Sequence, residues 1–193
     1  MRLPERLRRD LQRRSPATLA AESSIACAVL VPVVALAGEY GVVYTLRSEH
    51  LPNHKGQVAF PGGKHSAARD RDLLQTALRE AHEEIGIVPA DVEVLGRLDD
   101  VYTMATDFVI APYVGLLPAD YSYRVNPGEV ADVFTVRISD LADVGHHTTE
   151  LREWQGARYP IEVITAGPHK IWGATHRITM DLLERLGLAR GST

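Results

Sequence analysis

The 193-residue chain contains one cysteine, Cys27, so it can form neither an internal disulfide nor a cysteine-built zinc site. Cys27 lies in the apolar run at 25–31, which reads as a buried thiol. Aromatic residues are few, at 6%, and no apolar stretch reaches the roughly 20 residues that span a bilayer. Positive charge is in deficit: 21 Lys+Arg against 25 Asp+Glu give −4, which excludes a generally basic nucleic-acid clamp. The first ten residues hold no apolar segment of the signal-peptide kind. These absences predict a cytoplasmic chain without a membrane span or a nucleic-acid partner. A homo-oligomer is left open.

The charge that is present is unevenly placed. Residues 1–14 carry six arginines against Glu5 and Asp10, a local +4. The remainder, with 15 Lys+Arg and 23 Asp+Glu, therefore holds −8. Leu3, Leu7 and Leu11 recur every four residues, so residues 1–20 read as an amphipathic helix and connector, its leucines packed on the body of the domain.

Further along, residues 25–36 suit a buried strand interrupted at Pro32, and a turn over Gly38–Gly41 leads into a returning strand at 42–47. A polar loop with Pro52, Asn53, His54 and Lys55 follows. A short strand at 57–60 then stops at the breaker Pro61-Gly62-Gly63. The clearest helix spans Asp70 to Ile85, with Leu73, Leu74, Ala77, Leu78, Ala81 and Ile85 as its apolar stripe and Gly86 as its left-handed stop. Strands are expected at 92–102, 107–117, 131–137 and about 158–164, with a helical turn at 138–141. A last helix is expected from Trp172 to Leu186, closed by Gly187. The pattern predicts a single α/β domain over 1–193, a mixed sheet between helical layers. His146 and His147 read as a solvated loop, and Trp154 and Trp172 as core or interface anchors.

The chemistry concentrates in Leu78-Arg79-Glu80-Ala81-His82-Glu83-Glu84-Ile85-Gly86-Ile87. Glu80 and Glu84, four apart, share a helix face, with Glu83 beside them. Clustered carboxylates suit a hard divalent cation such as Mg²⁺ or Mn²⁺. Upstream, Pro61-Gly62-Gly63 gives a turn where backbone can approach such a site without side-chain interference. The combination points to metal-assisted phosphate chemistry.

Arg79-Glu80-Ala81-His82-Glu83-Glu84-Ile85-Gly86-Ile87 resembles the second half of the signature of the Nudix hydrolases, in a box region at 63–87. The first half departs: Gly63 and Arg79 stand two residues farther apart than in the signature. Counted back from Arg79, its first Glu falls on Arg71, where Asp70 or Asp72 could substitute. Thr45-Leu46-Arg47-Ser48, Leu51, His54 and Gly56-Gln57-Val58-Ala59-Phe60-Pro61-Gly62-Gly63-Lys64 resemble the element that precedes the box in coenzyme A pyrophosphatases. Ser66 stands where that subfamily usually has Asp. Asn126-Pro127-Gly128-Glu129-Val130 and Ile171-Trp172-Gly173-Ala174-Thr175 resemble its downstream blocks.

The resemblance implies a Nudix α/β/α sandwich that hydrolyses the diphosphate of coenzyme A or acyl-coenzyme A to 3′,5′-ADP and (acyl-)4′-phosphopantetheine. Glu80, Glu84 and Glu83 would then hold the cation, with the Gly63 carbonyl facing it, and Arg79 would orient Glu83 or steady the loop. Glu129, Glu83 and Glu84 are the candidates for a general base. Arg47, Ser48, His54, Gln57 and Lys64 would meet the substrate, and its 3′-phosphate would suit Arg47, Lys55 or Lys64. Two alternatives stay open: a Nudix pyrophosphatase acting on ADP-ribose or another nucleoside diphosphate derivative, and a catalytically silent nucleotide-binding domain.

Overall fold

The computed structural model describes residues 2–20, 23–154 and 156–189, excluding the Trp154 side chain, so the reading of Trp154 as an anchor lies outside what is described. Helix α1 (Leu3–Arg13) precedes the hairpin β1 (Ile25–Leu36) and β2 (Glu39–Arg47), and the short strands β3 (Val58–Ala59) and β4 (Gly62–Lys64) follow. Helix α2 (Leu73–Ile85) leads to β5 (Glu93–Arg97), β6 (Val101–Thr103), β7 (Phe108–Leu117) and β8 (Val130–Arg137). The chain ends with α3 (Ile138–Ala142), β9 (His147–Trp154), β10 (Ala157–Ala166), β11 (His169–Trp172) and α4 (Gly173–Arg185).

These eleven strands form an eight-stranded mixed sheet and a separate three-stranded sheet, β11-β10-β9. In the large sheet β1 lies parallel to β7 along Ile25–Val34, while its other edge takes β4 at 27–29 and β2 at 33–36. Strand β1 runs unbroken through Pro32, contrary to the expected interruption. The N–H of Leu30 reaches Pro61 O at 2.9 Å on the β4 side. Two residues on, Pro32 faces the gap between β4 and β2, where a missing N–H removes no ladder bond.

Helices cover both faces. On one, Ala77, Ala81 and Ile85 of α2 pack with Ala28, Leu30, Val34 and Val43. On the other, Leu7 and Leu11 of α1 and Ile178, Leu182 and Leu183 of α4 pack with Val31, Val33, Val42 and Tyr44. The leucines of the basic first helix are therefore core residues, as expected. Cys27 is buried too, and burial pushes its thiol up to about 11. Among the described residues no helix is long and apolar enough to cross a membrane.

Three further expectations are corrected. The Gly62-Gly63 breaker is itself strand β4: a β-carbon on Gly62 would lie 2.3 Å from Ala28 O, so only glycine allows this approach to β1. Strands β9 and β11 were not expected, and His147 opens β9 instead of a solvated loop. His146 Nδ1 lies 2.9 Å from Asp140 O, and His147 Nε2 lies 2.8 Å from Leu141 O. Helix α2 begins at Leu73, not Asp70, because Asp72 adopts extended backbone and its carboxylate accepts the Gln75 N–H at 2.8 Å as an N-cap.

Candidate active site

Helix α2 ends where expected. Gly86 has φ +73°, its N–H reaches His82 O at 3.0 Å, and the Ile87 N–H reaches Ala81 O at 3.3 Å. Two remaining carbonyls of the last turn, Ile85 O and Glu84 O, accept from Arg124 N (2.9 Å) and Asn126 N (2.8 Å). The helix end thus fixes the turn that carries Glu129. Asn126 Nδ2 donates to Glu129 Oε1 at 3.0 Å, and the Ser48 N–H donates to Glu129 O at 2.9 Å, tying that turn to the end of β2.

The burial pattern of α2 separates its three glutamates. Glu84 is 4% exposed and turned inward, while Glu83 faces solvent and Glu80 is half-buried between them. Burial pushes the Glu84 carboxyl up to about 8; Arg47 opposes the shift, Glu129 and Glu80 add to it, and the Gly62 N–H favours the anion. Glu80 lies against the Gly63 backbone, so closely that a β-carbon there would sit 2.5 Å from its carboxyl carbon. Glu83 is held elsewhere, by Arg69 and by Arg79 Nη1 at 3.0 Å.

Arg79 is the hub of the loop in front of the helix. Its Nε and Nη2 donate to the two oxygens of Asp70 at 2.7 and 2.9 Å, and its Nη1 donates to Glu80 at 2.7 Å. Asp70 is buried, accepts further from the Ser66 N–H (3.1 Å) and the Thr76 hydroxyl (2.9 Å), and is held well below the usual carboxylate range, chiefly by the Arg79 guanidinium. Of the two acids offered for the displaced signature position, Asp70 braces loop to helix and Asp72 only caps. Of the partners, Thr76 gave no sequence signal and Ser66 stood out only as a departure from the subfamily's usual Asp, while Asn126 lay in a block resembling the subfamily's downstream elements.

Arg47 comes from the α2 face of β2, and its buried Nε has no hydrogen-bond partner among the described residues. Ser48 is buried and its hydroxyl accepts the His50 N–H at 3.3 Å. His54 Nδ1 lies 3.0 Å from Gln57 Oε1 on the loop beyond, and Lys64 is exposed with its ammonium 5.3 Å from the centre of the Phe108 ring. The fold thus gathers Arg47, Gly63, Arg79, Glu80, Glu84 and Glu129, and leaves Glu83, His54, Gln57 and Lys64 at the margin or engaged with other partners.

Among the described residues no three His, Cys, Asp or Glu side chains converge into a ready metal shell. Mg²⁺ and Mn²⁺ sites ask for less: one or two carboxylates, with waters and substrate phosphates completing the octahedron. Glu80 and Glu84 beside the Gly63 backbone supply an all-oxygen donor set of that kind, so the residues fit such an ion.

A mixed sheet between helices, with an Arg-Glu-x-x-Glu-Glu helix behind a Gly-Gly strand, is the arrangement of a family of hydrolases that act on phosphoric anhydrides, and comparison with known proteins places the chain there. The chain matches the NUDIX domain family over residues 27–161 and belongs to the Nudix hydrolases. It is 39% identical over 162 residues to the human mitochondrial coenzyme A diphosphatase NUDT8, covering 82% of this chain and 68% of that protein. It is 35% identical to the uncharacterized Nudix hydrolase NudL of Enterobacter sp. (strain 638), covering 83% of this chain and 82% of that one. A MutT/nudix family protein from Enterococcus faecalis shares the fold, with a TM-score of 0.59 at 18% identity over 97% of this chain and 70% of its own.

Proposed function

We propose that the protein hydrolyses the diphosphate bond of coenzyme A or acyl-coenzyme A, giving 3′,5′-ADP and (acyl-)4′-phosphopantetheine. The observation that carries this reading is Arg47: it comes from the element upstream of the box, its charge acts on Glu84 of the acidic helix, and its buried Nε has no partner among the described residues. A guanidinium so placed suits a diphosphate oxygen. The similarity to a coenzyme A diphosphatase supports the choice of substrate.

In this reading Glu80 and Glu84, with the Gly63 carbonyl, hold Mg²⁺ or Mn²⁺. The ion, when bound, neutralises diphosphate charge and acidifies water. Arg47 binds and orients the diphosphate. Arg79 is a positioning residue that fixes Glu80 through its own bond to Asp70. Glu129 takes the proton of the attacking water, its carboxylate aimed by Asn126. Glu83 keeps the outer side of the acidic face, on Arg69 and Arg79.

The test is a panel of coenzyme A, acetyl-coenzyme A, ADP-ribose and dinucleotides with Mg²⁺ or Mn²⁺, products resolved by mass. The expected result is 3′,5′-ADP from the first two. Cleavage of ADP-ribose with coenzyme A untouched would overturn the substrate assignment. Glu129→Gln should lower kcat about 100-fold or more, and near-normal turnover would remove Glu129 from the role of base.

A further inference from the structure

A second group of cations lies around the edge of the sheet from the diphosphate site. A cleft of about 340 Å³ opens between the end of β2 and the three-stranded sheet, lined among others by Leu46, Lys55, Gln57, Arg152, Lys170 and Trp172; among the described residues no Asp or Glu lines it. The register of β9, β10 and β11 aligns Thr148 with Val163 and Val163 with Trp172. With side chains alternating along each strand, Glu150, Arg152, Lys170 and Trp172 fall on one face. The Arg152 guanidinium stacks on the Trp172 ring, 3.9 Å from its centre, and Lys170 Nζ lies 2.6 Å from Glu150 Oε1. Among the described residues neither Arg152 nor Lys55 has a carboxylate partner.

The cleft is joined to the diphosphate site through one residue. The Arg47 N–H donates to Gln57 O at 3.0 Å, and Arg47 O accepts the Gly56 N–H at 3.1 Å. The loop that leaves the site at Ser48 therefore returns to Arg47, bringing Lys55 and Gln57 round to the cleft. The Arg47 side chain lies on the α2 face and Leu46 on the other.

We propose that this cleft is the subsite for a phosphomonoester on the nucleotide half of the substrate, the 3′-phosphate of coenzyme A; this rests on the coenzyme A reading. A phosphomonoester is close to dianionic at neutral pH and offers three acceptor oxygens. Arg152, already fixed on Trp172, gives a planar fork that loses little freedom on binding, and Lys55 adds a point charge, while Lys170 is held by Glu150 at the border of the cleft. Of the three cations that the sequence left as candidates, Arg47 lies on the α2 face and is assigned to the diphosphate, and Lys64 lies over Phe108. Lys55 alone sits in a cleft with other cations.

The experiment compares kcat/KM for coenzyme A and 3′-dephospho-coenzyme A in the metal-loaded enzyme. The wild type should prefer coenzyme A. Arg152→Ala and Lys55→Ala should each shrink that preference about tenfold, through KM, as expected for losing one charge-assisted contact. Lys55 lies on an exposed loop, so its variant keeps the test open if Arg152→Ala disturbs the sheet. If the preference survives both variants, or falls only in Lys64→Ala, the cleft is not the subsite, whereas the coenzyme A reading stands. If the wild type cleaves neither compound, that reading falls, and calorimetric binding of 3′,5′-ADP against 5′-AMP decides the cleft. Tighter 3′,5′-ADP binding that Arg152→Ala abolishes supports it, and equal binding overturns it.

Discussion

Asp70 accepts four hydrogen bonds, two from Arg79 and one each from Ser66 and Thr76, in a position closed to water. Removing one partner of a buried ion pair leaves the other uncompensated, so Asp70→Asn should cost about 3 kcal/mol in urea unfolding at pH 7. The pair holds the native carboxyl below its unfolded value. Its stabilisation is therefore complete above the ordinary Asp pKa of about 3.9 and drains away as pH falls toward the lower native value. The gap between wild type and Asp70→Asn should stay constant from neutral pH to about 5 and narrow below about 4; a gap that widens in acid would contradict the pairing. Gly63 is constrained differently, by space. Gly63→Ala would press a β-carbon onto the Glu80 carboxylate, the movable end of a side chain. Stability should change little while the apparent metal dissociation constant, read from activity against Mn²⁺ concentration, rises about tenfold.

Helix α1 shows how an element earns its place by packing more than by propensity. Leu7 is fully buried and Leu11 nearly so, and the arginines around them meet acids of the body: Arg8 pairs with Glu93, and Arg14 with Asp99 at 2.6 Å. Asp99 also binds Arg185 of α4 at 2.6 Å, so one carboxylate clamps the end of α1 to α4. Leu7→Ala should lower stability by about 3 kcal/mol, measured as a reduced urea midpoint with unchanged slope. The four-residue leucine repeat made this helix legible. The outer strands of the three-stranded sheet were not: β9 reads His-Thr-Thr-Glu-Leu-Arg-Glu-Trp, with no buried alternation to announce it, and β11 is four residues long. Such strands exist because their neighbours pair with them, and a local reading sees no neighbours.

For the whole molecule, the −4 net charge divides into a basic helix and an acidic body that partly neutralise each other across α1. The acids left facing the Gly-Gly strand gain most from an added cation. A ligand that binds only the native state raises stability by mass action, about 2.7 kcal/mol at 100 times its dissociation constant. Saturating Mg²⁺ or Mn²⁺ should therefore raise the Tm of the wild type, and Glu84→Gln should abolish that rise whatever its own Tm without metal. An equal rise in both proteins would place the ion elsewhere.

The sequence alone determined the features that depend on neighbours along the chain: the amphipathic helices, the left-handed stop at Gly86, and a run of acids whose spacing matches a known box. It narrowed the displaced brace to Asp70 or Asp72 and went no further, because two positions before the helix separate a buried ion pair from an N-cap. Tertiary structure alone decided that Glu84 turns inward and that Arg69 joins Arg79 on Glu83. It also decided that Lys55 meets Arg152, 97 positions away, in one cleft. Burial and long-range charge pairing are set by what packs opposite a residue, and for Glu84, Asp70 and Arg152 those partners come from other segments of the chain.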